Sequence, residues 1–300
     1  MAEAALAERP SALQAWWLAS RPRTLPLAVA PVAVGTAVAA HTAEPQWLPA
    51  LGALAGALCL QIGSNFVNDF ADAEKGADTE ARQGPPRAVQ QGWLTAHQMR
   101  RGAVLAFGLA FLVGLYLVAV GGWPILALGL VSIAAGYAYT GGPYPLGYHG
   151  LGDVAVFLFF GLGAVCGTVW VQLGTLPLEA WWAALPVGAL ATAVLCVNNL
   201  RDVATDRVAG KRTLAVRFGE TAARAEYTGL VALALGVPLV WWLLLDAQWI
   251  WLPLLCAPPA IGLVRALRRE RGSALNPILE RTARLALLFS AFFAAGIALS

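Results

Sequence analysis

Two short stretches of the chain concentrate oxygen-bearing side chains at a regular spacing. The first stretch, residues 64–92, begins SNFVNDFADAEKGAD, and Asn68, Asp69 and Asp72 lie three, four and seven residues after Asn65. Because residues at these intervals share one face of an α-helix, we expect the four side chains to project together from a helix end. The same stretch adds further carboxylates and then positive charge: Glu74, Asp78 and Glu80, with Lys75, Arg82 and Arg87.

The second stretch, residues 197–219, reads VNNLRDVATDRVAGKRTLAVRFG. Asn198, Asp202 and Asp206 recur every four residues, so they also share one helical face. Both stretches contain an N-x-x-x-D step, and both pass through a glycine into a basic segment, here Lys211, Arg212 and Arg217. This similarity indicates a weak internal repeat in which the two helices are equivalent.

Oxygen ligands of this kind suit a hard divalent cation. Mg²⁺ takes one or two carboxylates together with waters and substrate phosphates. Two facing clusters could hold Mg²⁺ ions around one diphosphate, which the adjacent Lys and Arg side chains would also bind. Either cluster alone could be a solvated helix end. A charge at membrane depth costs at least ~2.5 kcal/mol, so two matched clusters favour a functional interpretation.

The elements that must position these clusters are membrane helices. The chain has 300 residues, of which 59% are apolar and 12% charged, whereas a soluble domain carries about 25% charged residues. A membrane span needs roughly 20 apolar residues in a row. We therefore predict an all-α integral membrane bundle in the lipid bilayer, one domain over 1–300, with about nine transmembrane helices. Their predicted ranges are 24–41, 47–70, 101–120, 123–140, 151–173, 180–200, 226–245, 249–266 and 282–299.

The charge distribution predicts the orientation of this bundle. With the N-terminus in the cytoplasm, all 20 Lys and Arg lie in cytoplasmic segments or within a few residues of their helix ends. The charged residues of the opposite loops are Glu44, Glu179 and Asp246, and these loops have no Lys or Arg, as the positive-inside rule requires. Residues 1–20 lack the apolar core and cleavage site of a signal peptide, so we expect them to form a cytoplasmic segment. Both Asp-rich loops are then cytoplasmic, which for a bacterial chain means the inner face of the cell membrane.

The chain resembles the UbiA-type membrane prenyltransferases, and among them most closely the 1,4-dihydroxy-2-naphthoate polyprenyltransferases of menaquinone synthesis. The similar stretches are RPRTLPLAVAPVAVGTA (21–37), NDFADAEKGADT (68–79), YTGGPYPLGYHGLGDVAVFLFFG (139–161), NNLRDVATDRVAGKRTLAVRFG (198–219) and LNPILERTARLALLF (275–289). In the superfamily's usual first motif, a further Asp stands four residues after the position of Asp72. Gly76 occupies that place here, and we favour Asp78 as the replacement.

The resemblance implies a Mg²⁺-dependent transfer of a polyprenyl group from polyprenyl diphosphate to 1,4-dihydroxy-2-naphthoate, with loss of diphosphate and CO₂ and formation of demethylmenaquinol. The metal ligands expected by resemblance are Asn68, Asp69, Asp72, Asp78, Asn198, Asp202 and Asp206. The catalytic residues expected are Asp69, Asp72, Asp202, Asp206 and Tyr139. The substrate-binding residues expected are Asn65, Asn68, Asn198, Arg87, Lys211, Arg217, Tyr137, Tyr144 and His149.

Several alternatives stay open at this point. The tyrosines could be interfacial anchors, and Asp153 could simply start a helix. Arg21 and Arg23 could be orientation signals or could contact the acceptor carboxylate. The acceptor could instead be 4-hydroxybenzoate or homogentisate. A secondary transporter would place acidic residues near the bilayer midplane, whereas these acids cluster at one membrane face.

Overall fold

The computed structural model describes residues 10–78, 82–244 and 247–300, and this part of the chain is helical without β-strands. Glu80 and Asp246, which the sequence analysis named, lie outside it. The α-helices, in chain order, are α1 (Ala12–Ala19), α2 (Pro26–Thr42), α3 (Trp47–Glu74), α4 (Ala96–Gly121), α5 (Trp123–Ala138), α6 (Gly152–Val156), α7 (Ala164–Leu173), α8 (Leu178–Arg201), α9 (Val203–Val208), α10 (Leu214–Leu244), α11 (Ala257–Leu267) and α12 (Asn276–Leu299).

The predicted all-helical membrane fold is confirmed. Among the described residues, six helices are long and apolar enough to cross a membrane: Trp47–Glu74, Ala96–Gly121, Gly152–Leu173, Leu178–Arg201, Leu214–Leu243 and Gly272–Leu299. Three shorter apolar helices, Pro26–Thr42, Trp123–Ala138 and Leu252–Leu267, lie at the other three predicted positions. The shorter helices do not meet the length of a full span, so the count of about nine spans stays a prediction.

α3 carries the first cluster and lies against α4. α8 carries Asn198, ends at the cap residue Asp202 and lies against α10. Asp206 lies on the short helix α9, so the chain breaks the helix on which we expected Asn198, Asp202 and Asp206 to share one face. α2 packs along α12, and α8 is the most buried of the long helices. The largest apolar core joins α2, α7, α8, α10 and α12. This arrangement brings the C-terminal ends of α3 and α8 toward one another.

The span Gly152–Leu173 is not a regular α-helix. Between α6 and α7, residues Phe157–Gly163 form a π-helical segment, an irregularity that is frequent at functional sites. This segment packs very closely on α8, since a Cβ placed on Gly161 would lie 2.8 Å from the Cα of Gly188. The close approach leaves Phe159 and Phe160 facing the interior of the bundle.

Candidate active site

The bundle encloses a cavity of about 900 Å³ that contacts both Asp-rich clusters. Its polar end, which we call the mouth, is lined by residues from the C-terminal ends of α3 and α8, from α9, and from the segments before α2 and after α5. Its other end is lined by apolar and small residues of α3, α4, α5 and α7, among them Leu60, Leu117, Leu128 and Val171. The shape suits a molecule with a strongly anionic head and a long hydrocarbon tail.

Asp72 lies at the centre of the polar end and is almost fully buried. Its Oδ2 is 2.8 Å from Nη1 of Arg87 and 3.3 Å from Nζ of Lys211, and its Oδ1 accepts a hydrogen bond from the Tyr148 hydroxyl at 2.7 Å. The Tyr148 ring in turn lies beneath the ammonium groups of Lys75 and Lys211, at 4.6 and 5.0 Å. A buried carboxylate held by this much positive charge stays ionised.

Asp69 shares the helical face of Asp72 but contacts a different part of the chain. Its Oδ2 accepts the backbone N–H of Ala88, and its Oδ1 accepts that of Val89, each at 3.0 Å. These two bonds attach the loop after α3 to the helix. The loop presents Arg87, which donates to the backbone carbonyl of Asn68 and pairs with Asp72. Asp69 therefore positions the residue that contacts Asp72.

The asparagines of the first cluster are also engaged. The side-chain amide of Asn65 donates to the Ser20 carbonyl at 2.9 Å, which connects α3 to the segment before α2. The Oδ1 atom of Asn68 accepts a hydrogen bond from the Thr140 hydroxyl, and Lys75 donates to the Thr140 carbonyl. The segment after α5 is thereby held against the end of α3.

Arg201 organises the second cluster. Its side chain is 2% exposed, and its guanidinium donates to Oδ1 of Asn198 at 2.7 Å, to Oδ1 of Asp202 at 2.8 Å and to Oδ1 of Asn276 at 2.9 Å. The Asn276 amide also donates to the Gln83 carbonyl, so this network reaches α12 and the loop after α3. Arg201 fixes three polar side chains around the mouth of the cavity.

One ammonium group joins the two clusters. Nζ of Lys211 lies 3.3 Å from Oδ2 of Asp72 and 3.6 Å from Oδ1 of Asp206. A single small cation therefore reaches a carboxylate from each cluster. The two acidic helix ends face each other across the cavity mouth, on the same side of the bundle.

The electrostatics of the mouth reflect dense charge in a confined volume. Burial disfavours the charged form of Arg87, but the surrounding Asp72, Asp78 and Asp69 outweigh it and raise the pKa of its guanidinium. Burial raises the pKa of Asp206 to about 6, against the opposing effect of Lys211. Burial and the neighbouring Arg87 and Arg82 lower the pKa of Arg21 to about 9.

Arg21 has spare hydrogen-bonding capacity at the mouth. Its Nη2 is buried without a hydrogen-bond partner among the described residues, and the residue lines the cavity. It also adopts a left-handed backbone conformation, with φ of 55°, which is uncommon for a residue other than glycine. Strained backbone of this kind clusters at functional sites.

The donor set fits a hard divalent cation, although the described residues contain no group of three His, Cys, Asp or Glu side chains arranged to hold a metal ion. Asp72, Asp202 and Asp206 line one cavity mouth with Asn68 and Asn198 beside them. In the structure each of these carboxylates forms an ion pair with an Arg or Lys side chain. Oxygen donors of this type match the ligands that Mg²⁺ prefers.

The structure brings most of the predicted site residues together. Those that line the cavity are Asn65, Asn68, Asp69, Asp72, Arg87, Tyr139, Asn198, Asp202, Asp206 and Lys211. The others lie outside its lining: Asp78, Tyr137, Tyr144, His149 and Arg217. Asp78 lies behind the mouth, paired with Arg82 at 2.7 Å and Arg87 at 3.1 Å. The roles assigned to these residues stay predictions.

The residues after α5 form a folded loop beside the mouth. The Tyr144 ring stacks on His149 with 3.7 Å between centroids, and Arg217 donates to the His149 carbonyl at 2.8 Å. Tyr137 and Tyr144 are exposed, which agrees with the alternative that they are interfacial anchors. Within this loop, Tyr148 is the tyrosine that contacts Asp72.

Sequence reasoning missed Arg201, Tyr148 and Asn276 at the mouth. Arg201 carried a usable signal, since a charged residue inside the last turn of an apolar span needs a partner. Tyr148 and Asn276 carried none, because one lies in a loop rich in aromatic residues and the other begins a helix distant in sequence. Their positions depend on how separate segments pack.

Comparisons with known proteins agree with this geometry. The sequence profile described as the UbiA prenyltransferase family matches residues 28–297. The chain is 44% identical to the 1,4-dihydroxy-2-naphthoate octaprenyltransferase of Escherichia coli (strain K12), over 97% of each chain. It is 42% identical to the protein of the same name from Mycobacterium tuberculosis, over 94% of this chain and 95% of that protein.

A solved structure shows the same fold at much lower identity. A UbiA homologue from Archaeoglobus fulgidus, solved with DMAPP and Mg²⁺ bound, superposes with a TM-score of 0.67 over 95% of this chain and 99% of its own, at 15% identity. The profile match and the two relatives each extend over nearly the whole chain. This chain therefore belongs to the UbiA prenyltransferase family.

Proposed function

We propose that this protein transfers a polyprenyl group from polyprenyl diphosphate to 1,4-dihydroxy-2-naphthoate, releasing diphosphate and CO₂ and forming demethylmenaquinol. The observation that carries the proposal is the meeting of two acidic clusters at the mouth of one apolar cavity, where Lys211 contacts both Asp72 and Asp206. The relatives named as 1,4-dihydroxy-2-naphthoate octaprenyltransferases support the choice of acceptor.

The diphosphate head would occupy the mouth with Mg²⁺, held by Asp72, Asp202 and Asp206 with Asn68 and Asn198. Bound Mg²⁺ would neutralise the negative charge that develops on the departing diphosphate. Arg87 and Lys211 now pair with Asp72 and would donate to the diphosphate oxygens, since Arg and Lys bind phosphate strongly. When a metal ion and the diphosphate bind together, their opposite charges largely offset each other. Asp72 can then bind the metal while Arg87 and Lys211 bind the diphosphate.

The apolar part of the cavity would protect the reactive centre. Cleavage of the allylic C–O bond leaves a carbocation, and an electron-rich ring carbon of the acceptor forms the new C–C bond. The ring loses its carboxyl group as CO₂. Tyr139 and Phe159 line the cavity near its polar end and its middle, where aromatic faces stabilise positive charge and exclude water.

The acceptor carboxylate requires a cation at the same mouth. Arg21 lines the cavity and its buried Nη2 has no hydrogen-bond partner among the described residues, so it is the residue that we assign to this contact. A buried donor without a partner costs about 1–3 kcal/mol, which an incoming carboxylate would recover. Arg23 is a poor alternative, because its side chain is 66% exposed and pairs with Glu280.

We further propose that the mouth faces the cytoplasm of a bacterial cell, with the multi-pass bundle in the inner membrane. The distribution of Lys and Arg supports this orientation. Soluble diphosphate and the naphthoate acceptor would then exchange with the cytoplasm, while the prenyl product stays in the membrane.

The test is product analysis with purified protein in lipid nanodiscs. The protein is incubated with 1,4-dihydroxy-2-naphthoate and octaprenyl diphosphate, with and without Mg²⁺, and products are identified by mass spectrometry. We expect demethylmenaquinol in the Mg²⁺ reaction. Product with 4-hydroxybenzoate or homogentisate and none with the naphthoate would reject the acceptor assignment.

A further inference from the structure

Among the described residues that line the cavity there is one tryptophan, Trp93, and it is half-buried. Its indole has no aromatic or cationic ring partner and no side-chain hydrogen bond among the described residues. It packs against the apolar cluster that includes Phe66, Phe70, Ala88 and Leu94. The protein thus supports one part of the indole, while another part borders the cavity.

The segment that carries Trp93 is fixed by backbone hydrogen bonds. Gly92 has a φ of 66°, a conformation that glycine adopts at little steric cost, and its N–H donates to the Val89 carbonyl at 3.0 Å. The N–H of Trp93 donates to the Ala88 carbonyl at 2.9 Å. The N–H groups of Ala88 and Val89 are in turn bound by the Asp69 carboxylate. Trp93 is therefore held by a closed turn that is attached to α3 at the polar end of the cavity.

Arg21 is attached to the same face of α3, one turn away. The carbonyl of its neighbour Ser20 accepts the Asn65 amide at 2.9 Å, and Asn65 precedes Asp69 by four residues. Four residues of helix advance about 6 Å along the axis. The attachments of Arg21 and Trp93 are therefore close together, and both residues line the cavity. An aromatic acid can then place its carboxylate on Arg21 and its rings over Trp93, since stacked aromatic rings have centroids about 4.5–7 Å apart.

The other aromatic side chains of the cavity lining are engaged elsewhere. The Tyr148 ring lies beneath two ammonium groups, at 4.6 and 5.0 Å, and its hydroxyl donates to Asp72. The Tyr139 ring lies against the loop after α5, since a Cβ placed on Gly147 would be 3.4 Å from its Cε1. The phenylalanines of the lining belong to the π-helical segment of another span. Trp93 is thus the aromatic side chain whose ring remains available to an aromatic ligand.

We propose that the indole of Trp93 stacks on the naphthalene rings of the acceptor while Arg21 binds its carboxylate, so that Trp93 makes the site prefer two-ring over one-ring aromatic acids. This inference rests on the proposed function and names the residue that selects the acceptor. Stacking and burial both increase with the aromatic area that is covered, so a second ring gains more from Trp93 than a single ring does.

The test compares two inhibitors that differ by one ring. 1-Hydroxy-2-naphthoate and 2-hydroxybenzoate each carry a carboxylate beside a hydroxyl group, and each competes with the naphthoate acceptor during octaprenyl transfer in nanodiscs. The variants are Trp93→Leu and Trp93→Phe. The matched control is Trp17→Leu, because Trp17 is 60% exposed on α1 and lies outside the cavity lining.

We expect wild type and the Trp17 control to bind the two-ring inhibitor at least about tenfold more tightly than the one-ring inhibitor. Trp93→Leu should reduce this ratio at least about fivefold, and Trp93→Phe should give an intermediate ratio because it retains a smaller ring. Arg21→Gln should weaken both inhibitors by a similar factor, since both carry the carboxylate. KM for octaprenyl diphosphate should stay the same in Trp93→Leu, whereas a purely structural role in the Arg87 loop would change it.

An unchanged inhibitor ratio in Trp93→Leu, or equal weakening of both inhibitors, would overturn the inference. If Trp93→Leu does not fold, a photoreactive azidonaphthoate bound to wild-type protein decides: crosslinks to residues 88–94 support the stacking, and crosslinks confined to α7 and α12 reject it. Absence of octaprenyl transfer to the naphthoate in wild type would reject the proposed function. Active wild type with an unchanged ratio in Trp93→Leu would reject the role of Trp93 alone.

Discussion

Asp69 provides a sharp test of the site, because its place on the helix and its contacts suggest different roles. By spacing it belongs with the cluster that we propose to bind metal, yet both of its carboxylate oxygens accept backbone N–H groups, from Ala88 and Val89 at 3.0 Å. We predict that Asp69→Asn weakens the attachment of the Arg87 loop and leaves metal affinity nearly unchanged. Asn retains one acceptor oxygen and turns an NH₂ group toward the other backbone N–H.

The size of the effect follows from the bonds that are lost. A hydrogen bond to a charged group contributes about 1.5–3 kcal/mol. Loss of one such bond from the loop corresponds to roughly 10- to 150-fold faster opening, at 1.4 kcal/mol per factor of ten. Hydrogen exchange measured by mass spectrometry on peptides covering residues 84–94, in nanodiscs, would report this change directly.

The matched control is Asp72→Asn, which alters the carboxylate that contacts Arg87, Lys211 and Tyr148. We expect this control to raise the Mg²⁺ concentration needed for half-maximal activity, while the N–H groups of Ala88 and Val89 keep their partner. If Asp69→Asn instead raised the Mg²⁺ requirement as much as the control and left hydrogen exchange in the loop unaltered, Asp69 would be a metal ligand and our reasoning would be refuted.

Three further predictions concern the mouth of the cavity. Asp72→Asn and Asp202→Asn should each reduce turnover at least about 100-fold while the protein still folds, because each removes a charge from the set of residues that we propose to bind Mg²⁺. Activity within threefold of wild type in both variants would contradict the assignment. Arg21→Gln should raise KM for the naphthoate at least about tenfold, because the variant loses a charge-assisted contact with the acceptor. The control Arg23→Gln should leave this KM unchanged. Steady-state kinetics at varied acceptor concentration would distinguish the two variants. Chelation of divalent cations should abolish product formation measured by mass spectrometry, and added Mg²⁺ should restore it; undiminished product in the chelator would exclude a metal-dependent reaction.

Composition and residue spacing are enough to predict the membrane environment, the helical secondary structure and the two polar clusters. A chain with 12% charged residues and long apolar runs has too little polar surface for water, so a helical bundle in lipid follows. Spacing of three and four residues places Asn68 with Asp72 and Asn198 with Asp202 on helix faces, since helix periodicity is a local property. The resemblance to the prenyltransferase family was visible in the same stretches and is confirmed by the profile match.

The contact partners of the polar residues depend on the folded bundle. Asp69 and Asp72 share a helical face, but one binds a loop backbone and the other binds two cations and Tyr148. Arg201 joins α8 to α12 through Asn276, 75 residues away in the chain. Periodicity determines the direction in which a side chain leaves its helix, whereas its partner comes from a distant segment whose position depends on the packing of the whole bundle.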